Sequence, residues 1–301
     1  MKILKESFPN TPIILGGIYA TLCREHAKLH SGADSVHAGE YLKDDFEKYL
    51  PAYDLASNKE ILPIYLSKGC PFACSYCASN ILTPAFRQRD PVKVFEELMH
   101  YKSTFGTTAF VFCDDALLFK PESGIKKLLR IIKASELKFD FYTINGLHAK
   151  LIDEELAFLL KETGFKDLRL SLETSDENIQ EFTGNKVSNS DIKRAVTLLN
   201  EAGFDKSDIA IYILVGSPYL SMEKTKEDIL FVDSLNAKAI LASYSPIPGT
   251  RDYDALVKNG SIEKDMDPLW HNNTIFSEKI MPGAVEKIRS LRRFSSRIRK
   301  N

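Results

Sequence analysis

No stretch of this sequence stays apolar for longer than a strand needs, and its amino terminus lacks the charged start, apolar core and cleavage site of a secretory signal. Membrane insertion is therefore not expected, and a cytoplasmic location is. Charge of one sign is missing too: 40 basic residues against 41 acidic ones leave a net charge of -1. No overall field draws the chain to nucleic acid or to an anionic membrane surface. Cysteine is scarce, with five residues in 301, and three of the five fall within eight positions. That clustering argues against a disulfide framework and for a reducing compartment. What remains, 44% hydrophobic and 27% charged residues, is an ordinary globular composition, long enough for one large domain with or without a smaller attachment.

The cysteine cluster organises the rest. Residues 66 to 80 read Leu-Ser-Lys-Gly-Cys-Pro-Phe-Ala-Cys-Ser-Tyr-Cys-Ala-Ser-Asn, so Cys70, Cys74 and Cys77 form a C-x-x-x-C-x-x-C run. The apolar stretch Ile61 to Leu66 reads as a buried strand ending at Lys68-Gly69, which puts the thiols on a loop at a strand's carboxyl end, where parallel α/β folds build their sites. Thiolates suit zinc, copper(I) or iron–sulfur clusters, but a closed structural zinc site needs four protein ligands. The nearest histidine, His100, is far along the chain. A cubane of four irons can be held at three irons by three thiolates, leaving the fourth open. A redox or zinc loop, or thiols that merely pack, are the competing readings.

In chain order, residues 1 to 50 hold two βα units. Pro12 to Gly17 and Ala33 to Glu40 are short strands running into glycine turns, and an acidic and aromatic helix is expected near Tyr41 to Leu50. Residues 51 to 63 lack periodicity between prolines and read as a linker. From there strands and helices alternate. Asp90-Pro91 opens a helix with Val94, Leu98 and Tyr101 on one side, Thr107 to Cys113 is a strand, and Pro121 starts a helix burying Ile125, Leu128, Leu129 and Ile132. Phe139 to Ile144 is strand three, Asp153 to Lys161 a helix capped by Gly164, and Ser221 caps a helix to Ser234 before strand six, Ala239 to Ser243. Repeated β-then-α units predict a parallel sheet of six strands. Strand four, Leu168-Arg-Leu-Ser-Leu-Glu173, alternates its leucines with Arg169, Ser171 and Glu173, and such a polar face in a covered sheet implies a wet cavity or a ligand.

Three cysteines at this spacing, with Tyr76 before the last, resemble the signature of the radical S-adenosylmethionine (radical SAM) enzymes, in the branch with a cobalamin-binding-type amino-terminal domain. The similarity spans roughly residues 61 to 260. It implies an α/β fold, a partial (β/α)6 TIM-like barrel over residues 64 to 260, preceded by a truncated Rossmann-like segment (1 to 50) and followed by a helical extension (261 to 301). It also implies a 4Fe-4S cluster at Cys70, Cys74 and Cys77. The open iron would chelate S-adenosylmethionine, and one electron would cleave it to a 5'-deoxyadenosyl radical that abstracts hydrogen from a substrate. Arg87-Gln-Arg89-Asp-Pro91, followed by Glu96-Glu97, resembles the family's entry to the first helix. Asp114 and Asp115 stand where the family holds the methionine amino group, although this sequence departs from the family's motif there. Arg169 corresponds to a partner for the carboxylate, Ser171 and Glu173 to the ribose position, Ile213 and Gly216 to the adenine stretch, and Tyr244 with Pro246 to the "P-x-P-G-T" turn. The resemblance implies a small-molecule or peptide substrate and an electron donor such as flavodoxin or ferredoxin, with methyl transfer, rearrangement and oxidation all open. Cobalamin is not expected, since only two strands precede the linker and none of the six histidines lies in a D-x-H-x-x-G pattern. His148 and His271 are the histidines expected nearest a substrate, although a surface or structural place fits each better. The basic residues from Lys287 to Lys300 read as a solvated helix face. The rival reading is a non-catalytic remnant that keeps the barrel as a binding or scaffold protein, with a metal-binding regulator as a third.

Overall fold

A computed structural model describes residues 1–41 and 48–298. Its centre is a sheet of six parallel strands: β1 (Ile61–Ile64), β2 (Ala109–Phe112), β3 (Asp140–Thr143), β4 (Phe165–Glu173), β5 (Ile209–Val215) and β6 (Lys238–Ser243). They lie side by side in sequence order, each joined to the next by a crossover. That is the topology of a partial TIM-like barrel, and it sets all six carboxyl ends on one rim.

Local sequence explains the crossovers. Helix α1 (Pro91–Phe105) starts with Asp90 accepting from the Val92 amide and a proline at its first position, and ends at Gly106 in the left-handed region. Its apolar stripe of Val94, Leu98 and Tyr101 is buried. Helix α2 (Ile125–Ala134) buries Ile125, Leu128, Leu129 and Ile132, while α3 (Glu154–Thr163) is capped by Asp153 and stopped by Gly164. Gly164 has φ +100°, and a Cβ there would lie 2.0 Å from the Phe139 carbonyl, so only glycine fits this return into β4. Helices α4 (Asn189–Glu201) and α5 (Met222–Ser234) follow β4 and β5. The core between the strands is aromatic: Phe110, Phe112 and Phe141 are wholly buried, and Phe112 stacks on Phe165.

Both sheet edges are managed. Strand β1 is an edge, which is where its Pro63, lacking an amide donor, is tolerated. It stops at Ile64, two residues short of the expected end, because Ser67–Lys68 turns away to pair antiparallel with Arg87–Gln88. Strand β6 is covered by the carboxyl-terminal helix Ala284–Ile298, whose Ser295 donates to the Ala239 carbonyl at 3.1 Å. On that helix Arg289 and Arg293 pair with Glu286 in solvent, as a solvated face requires.

The amino-terminal segment forms its own two-stranded parallel sheet, Ile14–Leu15 with Ser35–Val36. A fork from Arg87 to Glu40, at 2.7 and 2.8 Å, ties it to the barrel. Ile14 stays exposed, and the helix expected near Tyr41 to Leu50 falls on residues 42–47, outside those described. In the connecting stretch, Tyr53 donates to the Pro63 carbonyl at 2.6 Å and packs edge-on against Tyr101.

Arg89 and Glu97 form a buried ion pair at 2.7 Å, and Arg89 also donates to the Tyr65 carbonyl at 2.9 Å. Together they lock the end of β1 to α1. Removing one partner of such a pair leaves a buried charge, so Glu97→Ala is expected to destabilise the protein by about 3–5 kcal/mol in urea unfolding. A loss below about 1 kcal/mol would show that the pair is not needed.

Candidate functional site

The segment from Gly69 to Ser79 leaves the rim above β1. Gly69 has φ +79°, and a Cβ there would lie 2.7 Å from the Ala85 carbonyl, so the chain passes this point only as glycine. Beyond it come Cys70, Cys74 and Cys77, all free thiols and all partly exposed. Among the described residues no three Cys, His, Asp or Glu side chains gather round a single point. A mononuclear ion draws every ligand to about 2.0–2.3 Å from one centre. A closed structural zinc site needs four protein ligands, whereas three thiolates can hold three corners of a cubane.

Hydrogen-bond donors face the sulfurs. The Phe72 amide faces Cys70, the Tyr76 hydroxyl faces Cys74, and the Ser79 amide lies 3.5 Å from the Cys77 sulfur. Donors aimed at sulfur stabilise thiolate ligands and tune a cluster's potential. Burial pushes the Cys70 thiol up to about 11, and Lys186 pulls both Cys70 and Cys74 the other way. A bound iron would override the effect of burial, because coordinated thiols lose their proton. The residues present therefore fit a cluster.

Carboxylates hold the loop from both sides. Asp114, expected at the cofactor, is 4% exposed and turned inward: it accepts from the Leu66 amide at 3.1 Å, from the Ser67 hydroxyl at 2.6 Å and from the Ser67 amide. Backbone amides leaving a strand need acceptors when buried, and Asp114 supplies them here. Burial raises its pKa to about 7 against the pull of those donors. Asp115 faces the Gly69 amide and the Ser79 hydroxyl, one at each end of the loop, and burial raises its pKa as well. On the far side, helix α6 (Arg251–Lys258) follows the Pro246 turn. Arg251 donates to the Ala73 carbonyl and the Asp252 amide to the Ser75 carbonyl, both at 3.1 Å. The buried Asp252 carboxylate faces the hydroxyls of Ser75 and Tyr244 without a well-aligned hydrogen bond. Behind the loop, the Ser75 amide donates to the Thr183 carbonyl at 3.0 Å.

Strand β4 is central in the sheet, so its polar residues are not those of an exposed edge. Its alternation does not run through to the end. The pairing with β5 slips between Ser171 and Glu173, and Glu173 has φ +72°, uncommon for a residue with a side chain. Glu173 thereby meets Lys186 at 3.5 Å, and both line a small cavity with Cys74, Tyr76 and Gln180. Backbone strain of this kind concentrates at functional sites.

The other expected contacts are placed differently. Arg169 is engaged by Asp167 at 2.8 Å and by the Tyr212 hydroxyl at 3.0 Å. Ser171 lies under Gly146, where a Cβ would come within 2.0 Å of its hydroxyl oxygen. Ile213 is wholly buried in the core. Gly216, φ +77°, makes room for the Ser277 hydroxyl. Tyr244 is buried beside Asp252, and the Pro246 carbonyl lies 2.9 Å from His271 Nδ1, which makes His271 a tie for that turn. His148 is not at the surface: it is 3% exposed and stacks on Phe72. Lys186 escaped the sequence reading because it follows an irregular turn without periodicity, and Arg251 and Asp252 because the first turn of a short helix carries too little of it.

A six-stranded parallel barrel with a three-thiol loop on its carboxyl rim defines a class of cofactor-binding barrels. Residues 64–232 match the family model of the Radical SAM superfamily, and the chain belongs to that superfamily. An uncharacterized methyltransferase of Pyrococcus horikoshii is 25% identical over 221 residues, covering 70% of this chain and 46% of its own length. The chain thus spans about half of that relative. Among solved structures, the radical S-adenosylmethionine methyltransferase TsrM from Kitasatospora setae aligns with a TM-score of 0.58 at 19% identity, over 67% of this chain and 39% of its own. The cobalamin-dependent S-adenosylmethionine radical enzyme OxsB aligns at 0.58 and 12%, over 88% and 48%. At these identities the structures establish the shared fold.

Asp114 supplies a pH test. Its folded pKa lies above the unfolded value of about 3.9, so its contribution is complete at low pH and is lost as pH rises from about 4 to about 7. Relative to Asp114→Asn, the wild-type apoprotein is expected to lose about 2–4 kcal/mol of unfolding free energy between pH 4.5 and 8. Parallel pH profiles for the two proteins would contradict this.

Proposed function

We propose that the chain holds a 4Fe-4S cluster through Cys70, Cys74 and Cys77 and cleaves S-adenosylmethionine reductively to start a radical reaction on a substrate. One observation carries the reading: three free thiols on a single rim loop, with amide or hydroxyl donors facing their sulfurs and a largely buried lysine beside two of them. When bound, such a cluster with one open iron supplies an electron that breaks the C5'–S bond of the sulfonium, giving methionine and a 5'-deoxyadenosyl radical that takes hydrogen from the substrate.

The chain's own groups position the reactants. Lys186 is the cation for the methionine carboxylate in place of Arg169, whose guanidinium Asp167 already neutralises. Glu173, aimed by its left-handed backbone, accepts from the ribose hydroxyls. Asp114, Asp115 and Asp252 act through the loop and are positioning residues. The barrel mouth keeps water from the radical. The name of the Pyrococcus relative favours methyl transfer as the outcome. No helix among the described residues is long and apolar enough to cross a membrane. We infer a cytoplasmic protein served by a flavodoxin- or ferredoxin-type electron donor and acting on a small molecule or peptide.

Anaerobic reconstitution followed by S-adenosylmethionine and dithionite is expected to give 5'-deoxyadenosine. No product from a protein with an intact cluster would favour the non-catalytic reading. Cys74→Ala is expected to lose the cluster iron while Cys23→Ala keeps it. Lys186→Ala should retain iron and bind S-adenosylmethionine about 10- to 100-fold more weakly by calorimetry, the range for a lost charged hydrogen bond. Full iron in Cys74→Ala, or unchanged affinity in Lys186→Ala, would contradict the respective assignment.

A further inference from the structure

A cavity of about 970 Å³ lies between the helix Arg24–His30, α6 and the segment from Lys264 to His271. That volume suits a small organic molecule, and no residue given a role in the radical chemistry lines it. Helix α6 touches both places. Its first residues hold the Ala73 and Ser75 carbonyls of the cysteine loop, and its last turn, Val257 and Lys258, lines the cavity. The cavity is therefore a separate site, one helix away from the thiols.

Its lining defines what it can hold. Leu22, Leu29, Val257 and Met266 give it apolar walls, and Leu29, 78% exposed, stands where solvent enters. Six charged residues border it, Arg24, Lys258 and Lys264 against Glu25, Asp254 and Asp265, and all six are exposed. Three of each sign cancel, so the cavity draws in neither a cation nor an anion. One polar group is aimed more definitely. The half-buried His271 has its Nδ1 2.9 Å from the Pro246 carbonyl. A carbonyl only accepts, so Nδ1 carries the proton and Nε2 of the neutral ring presents a lone pair. Burial lowers the pKa of this imidazole, which favours the neutral form. Nε2 has no partner among the described residues and, unlike both nitrogens of His148, is not shut off from solvent. The other two imidazoles of the lining are less committed: His30 is exposed, and the Tyr19 hydroxyl, 2.7 Å from His26 Nδ1, can donate or accept.

We propose that this cavity binds a small, neutral, mainly apolar molecule carrying a hydroxyl or N–H group that donates to Nε2 of His271. The inference goes beyond the radical chemistry and does not depend on it.

The test uses the reconstituted full chain at pH 8 and two probes, 4-propylphenol and 4-propylanisole, which share an apolar body and differ in whether the oxygen carries a proton. Equilibrium dialysis gives both affinities, and circular dichroism reports that each variant has folded. The wild type is expected to bind the phenol about 5- to 10-fold more tightly than the ether, the size of one hydrogen bond. In His271→Asn, whose amide can still donate to the Pro246 carbonyl but offers no acceptor at the Nε2 position, the preference should fall below about twofold. In Leu29→Ser both probes should weaken by a similar factor of about three, with the preference kept. Cys74→Ala, expected to lack the cluster, should bind the phenol as the wild type does. An undiminished preference in His271→Asn, unchanged affinities in Leu29→Ser, or loss of phenol binding in Cys74→Ala would each overturn the proposal. Failure to form 5'-deoxyadenosine would instead remove the functional reading and leave this site standing.

Discussion

The structure depends on a loop that would not hold its shape alone. Between Gly69 and Ser79 the chain is neither helix nor β-ladder, and its buried amides and carbonyls need partners from elsewhere. They find them on other strand ends: Asp115 after β2, Arg251 and Asp252 after β6, and the Thr183 carbonyl in the segment after β4, while Asp114 serves the Leu66 and Ser67 amides just before the loop. The parallel barrel matters because it brings those ends to one rim. The positions of the three thiols therefore follow from the sheet's topology as well as from the loop sequence.

Charge is the second constraint. Three thiolates, Glu173 and the nearby aspartates crowd negative charge into a poorly solvated rim, where ionised groups are costly unless countered. Burial raises the pKa values of Cys70, Cys74, Asp114 and Asp115 alike. Lys186, 14% exposed at its side chain, is the cation that opposes this around Cys70, Cys74 and Glu173. Its loose contact with Glu173, at 3.5 Å, leaves it able to take a closer anion.

Much of this was legible in the sequence. The cysteine spacing, the six strands in order, and the caps at Asp90, Asp153 and Ser221 all follow from local rules that tertiary packing did not override. The site beyond the thiols was less legible for identifiable reasons. Period-two alternation cannot foresee the slip at Leu172 that turns Glu173 toward Lys186. Lys186 follows the turn at Gly184 and Asn185, where no periodicity carries a signal. At Asp114 the sequence leaves two uses open, because an acidic residue at a strand end serves a backbone amide as well as it serves a ligand. The Arg169 partner was legible in the sequence, since Asp167 lies two residues earlier on the same face of the strand.

The central claim, an open-sided cluster on the clasped loop, is tested most directly by electron paramagnetic resonance of the dithionite-reduced, reconstituted protein, with and without S-adenosylmethionine. A spin-half 4Fe-4S signal whose g-values shift when S-adenosylmethionine is added is the predicted result. A signal from the reconstituted protein that is indifferent to S-adenosylmethionine would contradict the account.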